Sequence, residues 1–218
     1  MCIDPSVCAH LSQGVGCNHW SPFCRRLHAL QQYPLGAVPG VRSAHSEVGD
    51  GRAGIVSFKE FRKGTPVMLY TGKYQSTKPR RRNEYVMEMP AHVDDTLSHT
   101  RWLVGDPKTC LASRANHSCA PNMDVVKLRF PGGPPEPMVV LYASKRIQAN
   151  ELHPIALTLS YDFDDAAARN DVCQCGSSNC CGLLGCNPTI CEQRRRVALA
   201  GEAAPSKRAG SRKRRRAS

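Results

Sequence analysis

The sequence predicts a mainly β domain, assembled from many short strands with few helices. Three observations carry that reading. Apolar residues recur in short runs, and no segment shows a long stripe at helical spacing. The runs are rich in Val, Ile, Leu and aromatic residues, which suit a pleated, half-buried surface. Gly, Pro and Asn punctuate the intervals between them.

Residues 1–40 are rich in Cys, His and Pro and show little periodicity. The pattern changes near Val48. Residues 55–58 and 67–70 read as short strands around a Lys63-Gly64 turn, residues 85–89 alternate as a third strand, and residues 101–104 make a fourth. Residues 125–130 and 138–142 flank Pro131-Gly132-Gly133-Pro134-Pro135-Glu136-Pro137. Proline brings no N–H to a ladder, so that segment is a stiff loop closing a hairpin. Residues 156–161 are the last strand. After Glu192 the composition is too polar to bury, which predicts disorder.

The formal net charge is +12 and unevenly spread. From Glu192 to Ser218 ten Lys/Arg stand against two Glu, so +8 belongs to the tail and +4 to the remainder. Lys207-Arg208 and Arg212-Lys213-Arg214-Arg215-Arg216 form a cluster of the kind used for nuclear localisation or nucleic-acid contact. Arg80-Arg81-Arg82 and Arg194-Arg195-Arg196 extend the basic surface, and salt-dependent contact with nucleosomal DNA follows as an expectation. Hydrophobic residues make up 41%, enough for a core. No apolar run approaches the ~18 residues of a membrane span. Asp4, His10 and several cysteines break the N-terminal stretch that a secretory signal requires. The expectation is a soluble intracellular protein with no membrane partner.

Without a secretory signal, twelve cysteines point to metal ligation rather than disulfides. Cys173-Gln174-Cys175-Gly176-Ser177-Ser178-Asn179-Cys180 is a C-x-C-x4-C cluster, in which Gly, Ser and Asn suit a ligand loop. Three thiolates this close can share a Zn²⁺, and a closed structural site takes a fourth ligand. Cys119 is the best candidate, because the Pro-Asn turn after it exposes its side chain. Cys181 and Cys186 are substitutes or extensions, with Cys181 pointing away from its neighbour. Cys2, Cys8, His10, Cys17, His19, Cys24 and His28 offer ligands for one or two further ions, at spacings that match no defined motif.

These pieces, in their order along the chain, resemble the SET-domain lysine methyltransferases. Asn116-His117-Ser118-Cys119-Ala120-Pro121-Asn122 is similar to the family's N-H-S-C-x-P-N segment. Leu157-Thr158-Leu159-Ser160-Tyr161 is similar to its terminal Leu-Thr-x-x-Tyr strand, and residues 173–182 to its post-SET C-x-C-G-x3-C-x-G. Residues 61–72 resemble its first hairpin, ending in Tyr-x-Gly, and residues 142–151 the run before its last strand. The likeness spans roughly residues 48–185. Departures stand beside it. Arg52-Ala53-Gly54 replaces a G-x-G, Lys73 replaces the Glu after Tyr-x-Gly, Ser113 and Arg114 replace an Arg-Phe, and residues 153–156 interrupt Glu-Leu-Thr.

The resemblance implies a β-clip, SET-like fold of small curved sheets, a pseudoknot-like threaded segment and a zinc-bound post-SET loop. It divides the chain into a Cys/His-rich, pre-SET-like segment (1–47), a SET domain (48–165), a post-SET zinc segment (166–187) and a basic disordered tail (188–218). It implies methyl transfer from S-adenosylmethionine to a protein lysine, most naturally in a histone tail at chromatin in the nucleus. Gly54, Tyr70, Asn116, His117 and Tyr161 would bind the donor, with Tyr161 and Tyr85 catalytic, Phe163 lining the channel, and Cys119, Cys173, Cys175 and Cys180 holding a structural Zn²⁺. At pH 7 only roughly 0.04% of a lysine amine is neutral in water, so the channel must lower its pKa by desolvation. Two other readings stay open: the same chemistry on a non-histone protein, and a catalytically inactive SET-like chromatin-binding module, favoured by Arg52, Lys73 and Ser113.

Overall fold

A computed structural model of the chain describes residues 26–27, 29–33, 36–45, 53–79, 85–89, 101–128, 136–162 and 171–185, with positions 189, 192, 193 and 196. The N-terminal cysteines and histidines, Arg52, Arg80-Arg81-Arg82, Phe163, Cys186, Arg194-Arg195 and the cluster at 207–216 lie outside them.

Ten strands make three small sheets among the described residues. The first holds β1 (Val41–His45), β2 (Ala53–Ser57), β10 (Ile155–Leu159) and β7 (Asn116–His117), in the order β1-β2-β10-β7. The second is β3 (Pro66–Tyr70), β9 (Met138–Ala143) and β8 (Met123–Leu128). The third is β4 (Gly72–Gln75), β6 (Arg101–Gly105) and β5 (Val86–Met89). A 3-10 turn at Leu111–Arg114 leads into β7. No helix among the described residues is long and apolar enough to cross a membrane.

All strand pairs are antiparallel except β10 with β7, where Thr158 pairs Asn116 and Leu159 pairs His117. β3, an edge strand of the second sheet, is buried along its length, and Val67, Met68, Val140, Leu141, Ile55, Phe61, Leu103 and Leu157 pack into one core. Burying a side chain of this size contributes about 1.5–3 kcal/mol.

The expected strands on either side of the proline-rich segment pair antiparallel, with Leu128 opposite Met138 and Met123 opposite Ala143. The strands around Lys63-Gly64 do not pair with each other, so residues 61–72 form no hairpin. Gly64 does turn the chain, at φ +77°. Its N–H bonds to the Ala143 carbonyl and Phe61 pairs with Ile147, so β3 joins β9 while β2 joins β1 and β10. The expected boundary at residue 48 falls between paired β1 and β2, and Leu27, Leu30, Ala37 and Val38 are part of the core upstream of it. Of the interrupting residues, His153 and Pro154 lie in an exposed turn, where Asn150 Oδ1 accepts the N–H groups of Leu152 and His153, while Ile155 and Ala156 pair with β2. β10 resumes at Ile155.

Candidate active site and metal centre

The parallel pair β7–β10 organises the site. Asn116 and His117 lie on β7, and β10 ends two residues before Tyr161. Asn122 fastens the crossing. Its side-chain amide donates to the Ala156 carbonyl (2.7 Å) and its Oδ1 accepts the Thr158 N–H (2.9 Å), so one side chain serves β10 as a neighbouring strand would. The Ser118 N–H donates to the Leu159 carbonyl. Asp162, at φ +46°, turns the chain directly after Tyr161 in a region that Asp tolerates better than most residues.

Ser118-Cys119 then meets the C-terminal loop. The Sγ atoms of Cys119, Cys173, Cys175 and Cys180 all lie within 4.8 Å of one another. Cys119 Sγ is 3.8 Å from Cys173 Sγ and 3.9 Å from Cys180 Sγ. A tetrahedral ion with zinc–sulfur bonds of ~2.3 Å has sulfur–sulfur edges of about 3.8 Å, so the four residues fit Zn²⁺. Around the sulfurs stand fixed donors: the Cys119 N–H faces Cys175 Sγ (3.5 Å), the Gly182 N–H faces Cys180 Sγ (3.4 Å), and the Ser177 hydroxyl is 3.0 Å from Cys175 Sγ. Burial pushes the Cys119 and Cys173 thiols up. Burial acts the same way on Cys175 but is outweighed by the Cys119 N–H and by Ser177, which draw it down to about 6. Asn179 adds a clamp independent of any ion, its amide donating to the Cys119 carbonyl at 3.1 Å.

His117 connects this cluster to Tyr161. Burial lowers its pKa to about 4, so the ring is neutral at pH 7. Nδ1 accepts the Tyr161 N–H at 3.2 Å. A neutral imidazole with Nδ1 accepting carries its proton on Nε2, and Nε2 lies 3.5 Å from Cys119 Sγ. The Tyr161 hydroxyl donates to the Ala115 carbonyl at 2.9 Å, and the rings of His117 and Tyr161 are tilted at 5.4 Å between centroids.

Tyr70 lies at the end of β3, in the second sheet. Its hydroxyl donates to the Tyr85 carbonyl (2.9 Å), which also receives the Gly105 N–H (2.8 Å). Burial raises the Tyr70 pKa, and Cys110, Tyr161 and Tyr85 push it further, so the three tyrosines share one electrostatic neighbourhood. Gly105 makes the room: a Cβ there would lie 2.7 Å from the Tyr70 oxygen. Gly54 lies on β2, one residue from the Ile55–Leu157 pair, and Thr158 pairs with Asn116. β10 thus separates Gly54 from Asn116, at about 10 Å for two strand spacings.

The structure therefore brings Tyr161 together with Asn116 and His117, and Tyr70 with Tyr85, with Gly54 across the first sheet from Asn116 and the four cysteines beside His117. Cys181 is outside the cluster, its Sγ directed at the Leu183 carbonyl. Sequence reasoning quoted Asn122 only as a motif position, and gave no role to Asn179 or to Cys110, whose buried Sγ accepts the Thr71 N–H beside Tyr70. It also passed over the route from Arg114 through the Ser43 hydroxyl (3.1 Å) to the Gly54 carbonyl (3.2 Å).

A SET domain family model matches residues 52–161, half of the chain. The chain belongs to the SET-domain family. Over 93 residues this SET-domain chain is 33% identical to the Homo sapiens histone-lysine N-methyltransferase, H3 lysine-36 specific, covering 43% of this chain and 3% of that protein. The same figures hold for its Mus musculus counterpart. The identity is also 33% over 93 residues with Mus musculus histone-lysine N-methyltransferase NSD3, covering 6% of that protein. The chain thus spans only a small part of the length of these curated relatives. The crystal structure of KRYPTONITE in complex with mCHG DNA and SAH matches 66% of this chain and 28% of its own, at a TM-score of 0.50 and 24% identity. That likeness supports the mainly β SET fold described above.

Proposed function

We propose that this SET domain transfers methyl groups from S-adenosylmethionine to the ε-amino group of a lysine in a histone tail, at chromatin in the nucleus. The observation that carries the reading is the placement of Tyr161 against β7, its N–H on His117 Nδ1 and its hydroxyl on the Ala115 carbonyl beside Asn116. The reaction is an in-line displacement: the amine lone pair forms the C–N bond as the S–C bond breaks, and the ammonium proton has left beforehand. The chain's part is alignment and dehydration. Aromatic walls disfavour the charged ammonium and lower the lysine pKa. The Tyr161 hydroxyl donates to Ala115, and a phenol oxygen engaged as donor can still accept an N–H from the amine and aim the nitrogen lone pair. Tyr85 forms a second wall as the other catalytic aromatic. The Gly54 backbone, Tyr70, Asn116, His117 and Tyr161 seat the donor. S-adenosylmethionine supplies the electrophilic methyl carbon. That KRYPTONITE was solved with SAH, and that the relatives are named histone-lysine N-methyltransferases, supports both halves of the proposal.

The four cysteines would hold a structural Zn²⁺, which would fix residues 173–180 to Cys119 and set the C-terminal loop against one side of the lysine channel. On this reading residues 48–165 are the SET domain, 166–187 the post-SET segment, 1–47 an accessory segment and 188–218 a tail that contacts nucleosomal DNA. Two observations favour a second reading, a silent chromatin-binding module. Lys73 stands exposed on β4 where the family has Glu, and Ser113, where it has Arg, is buried with its hydroxyl on the Cys110 carbonyl.

The deciding experiment offers radiolabelled donor with nucleosomes, free histones and cell extract, beside a Tyr161→Phe control. Label on a histone lysine, lost in the control, supports the proposal. Label only on another protein moves the substrate. Donor binding by calorimetry without any transfer selects the silent module.

A further inference from the structure

Six exposed cations stand on segments of the folded core that backbone pairing brings together. Arg42, Lys59, Arg62, Lys63, Lys145 and Arg146 are all exposed. Across residues 36–45, 53–65 and 143–149 the only acid is Glu60. Distant parts of the chain are held together here by backbone pairing. Phe61 pairs with Ile147, both fully buried, and Gly64 and Thr65 exchange hydrogen bonds with Ala143. Arg62 and Lys63 are thereby set beside Lys145 and Arg146. On the other flank the Phe58 N–H donates to the Gly40 carbonyl and the Arg42 guanidinium lies 4.0 Å over the ring of Phe58, the residue before Lys59. Glu60 holds Arg146 at 3.0 Å without cancelling the excess.

Like charges concentrated on a rigid surface repel one another, and a polyanion relieves that repulsion. We infer that this face docks the phosphate backbone of a nucleic-acid duplex. A single strand would need exposed aromatic platforms for its bases. The face offers none, because Phe58 is covered by Arg42 and Phe61 is buried. Guanidinium and ammonium groups without base-reading partners take phosphates irrespective of sequence. The face also borders the site: Lys145 Nζ is 3.3 Å from the carbonyl of Ala120, next to Cys119, and the Ser144 N–H donates to the Asn122 carbonyl. A duplex seated here brings its bound proteins to the candidate transfer site. The docking itself does not depend on methyl transfer.

The test is fluorescence anisotropy with the full chain, tail included, over a salt series. The probes are a DNA duplex, an RNA duplex of the same length, and polyglutamate. The Arg42→Gln/Arg62→Gln/Lys63→Gln variant should bind duplex at least tenfold more weakly at moderate salt. Its slope of log affinity against log salt should be shallower by about 2 to 3, near 0.9 for each phosphate that is no longer neutralised. Glu60→Gln should bind more tightly, a gain that a folding defect cannot mimic. The DNA and RNA arms identify the source of the phosphates. An unchanged slope, or an equal loss on polyglutamate, overturns the proposal.

Discussion

The main-chain N–H of Tyr161 donates to Nδ1 of His117 across 3.2 Å, and the opposite nitrogen of the same ring lies 3.5 Å from Cys119 Sγ. One imidazole therefore spans the cysteine cluster and the backbone of the tyrosine. A change at the sulfurs reaches Tyr161 through this ring and through the Ser118 N–H bond to Leu159, without any ligand as intermediary.

Zinc loss should therefore be felt as misalignment as well as instability. Cys175→Ser is expected to bind one equivalent of zinc less than the parent chain, by metal analysis, and to have no turnover. Chelation of the parent should reproduce both effects. A zinc-depleted variant with full activity would show that the loop is dispensable.

Tyr161→Phe removes one hydroxyl and its bond to Ala115. Its stability should change by no more than about 1 kcal/mol, while kcat falls by about 10²-fold through lost orientation of the amine. Donor affinity, measured separately by calorimetry, should change far less than kcat. A parallel loss of both would assign the hydroxyl to donor binding.

Asn122→Ala leaves the Ala156 carbonyl and the buried Thr158 N–H without their partner. Orphaning two such groups should cost about 2–4 kcal/mol in denaturant unfolding. Lys145→Ala, a neighbour on the surface, serves as the control, and equal effects from the two would refute the strand-substitute role.

The raised pKa of Tyr70 sets an alkaline limit. Folding favours the neutral phenol, so its contribution is complete below the ordinary tyrosine value of 10.0 and is lost as pH climbs toward the higher folded value. Tyr70→Phe should flatten the alkaline limb of a stability-against-pH curve and leave the limb below pH 8 parallel to that of the parent.

Gly105→Ala is a steric test of the same corner. Its methyl group would press on the Tyr70 oxygen from 2.7 Å, and overpacking of this kind costs about 1–3 kcal/mol. Thermal unfolding should register that cost, and pairing it with Tyr70→Phe should restore part of it.

The strands of the second sheet were legible because β3 and β9 are buried on both faces and read as continuous apolar runs. β1 escaped notice. Val41-Arg42-Ser43-Ala44-His45 has too little apolar alternation, and it is a strand because β2 pairs with it. β4 is an edge strand with exposed Gly72 and Lys73, and β7 is two residues long. Neither length nor alternation announces such elements. The Lys63-Gly64 turn was legible as local chemistry, but its partner was not, because Ile147 and Ala143 are chosen by tertiary packing. The cysteines were readable in advance for a chemical reason: three thiols in a polar loop leave a tetrahedral ion one ligand short. Asn122, Asn179 and the Arg114–Ser43 contact act by side-chain bonds to distant backbone or hydroxyl groups, which leave no periodic trace.

The lodging of β10 between β2 and β7 also governs how the chain can be made. Until residues 155–159 leave the ribosome, β2 carries an open edge of unpaired N–H and C=O groups, a template for joining another molecule's strand. Closing that edge joins segments far apart in sequence, which makes refolding slow. A translation product that stops ahead of Ile155 is consequently a sticky half-sheet, and recovery of monomer after dilution from denaturant depends on keeping the chains apart while the last strand finds its slot.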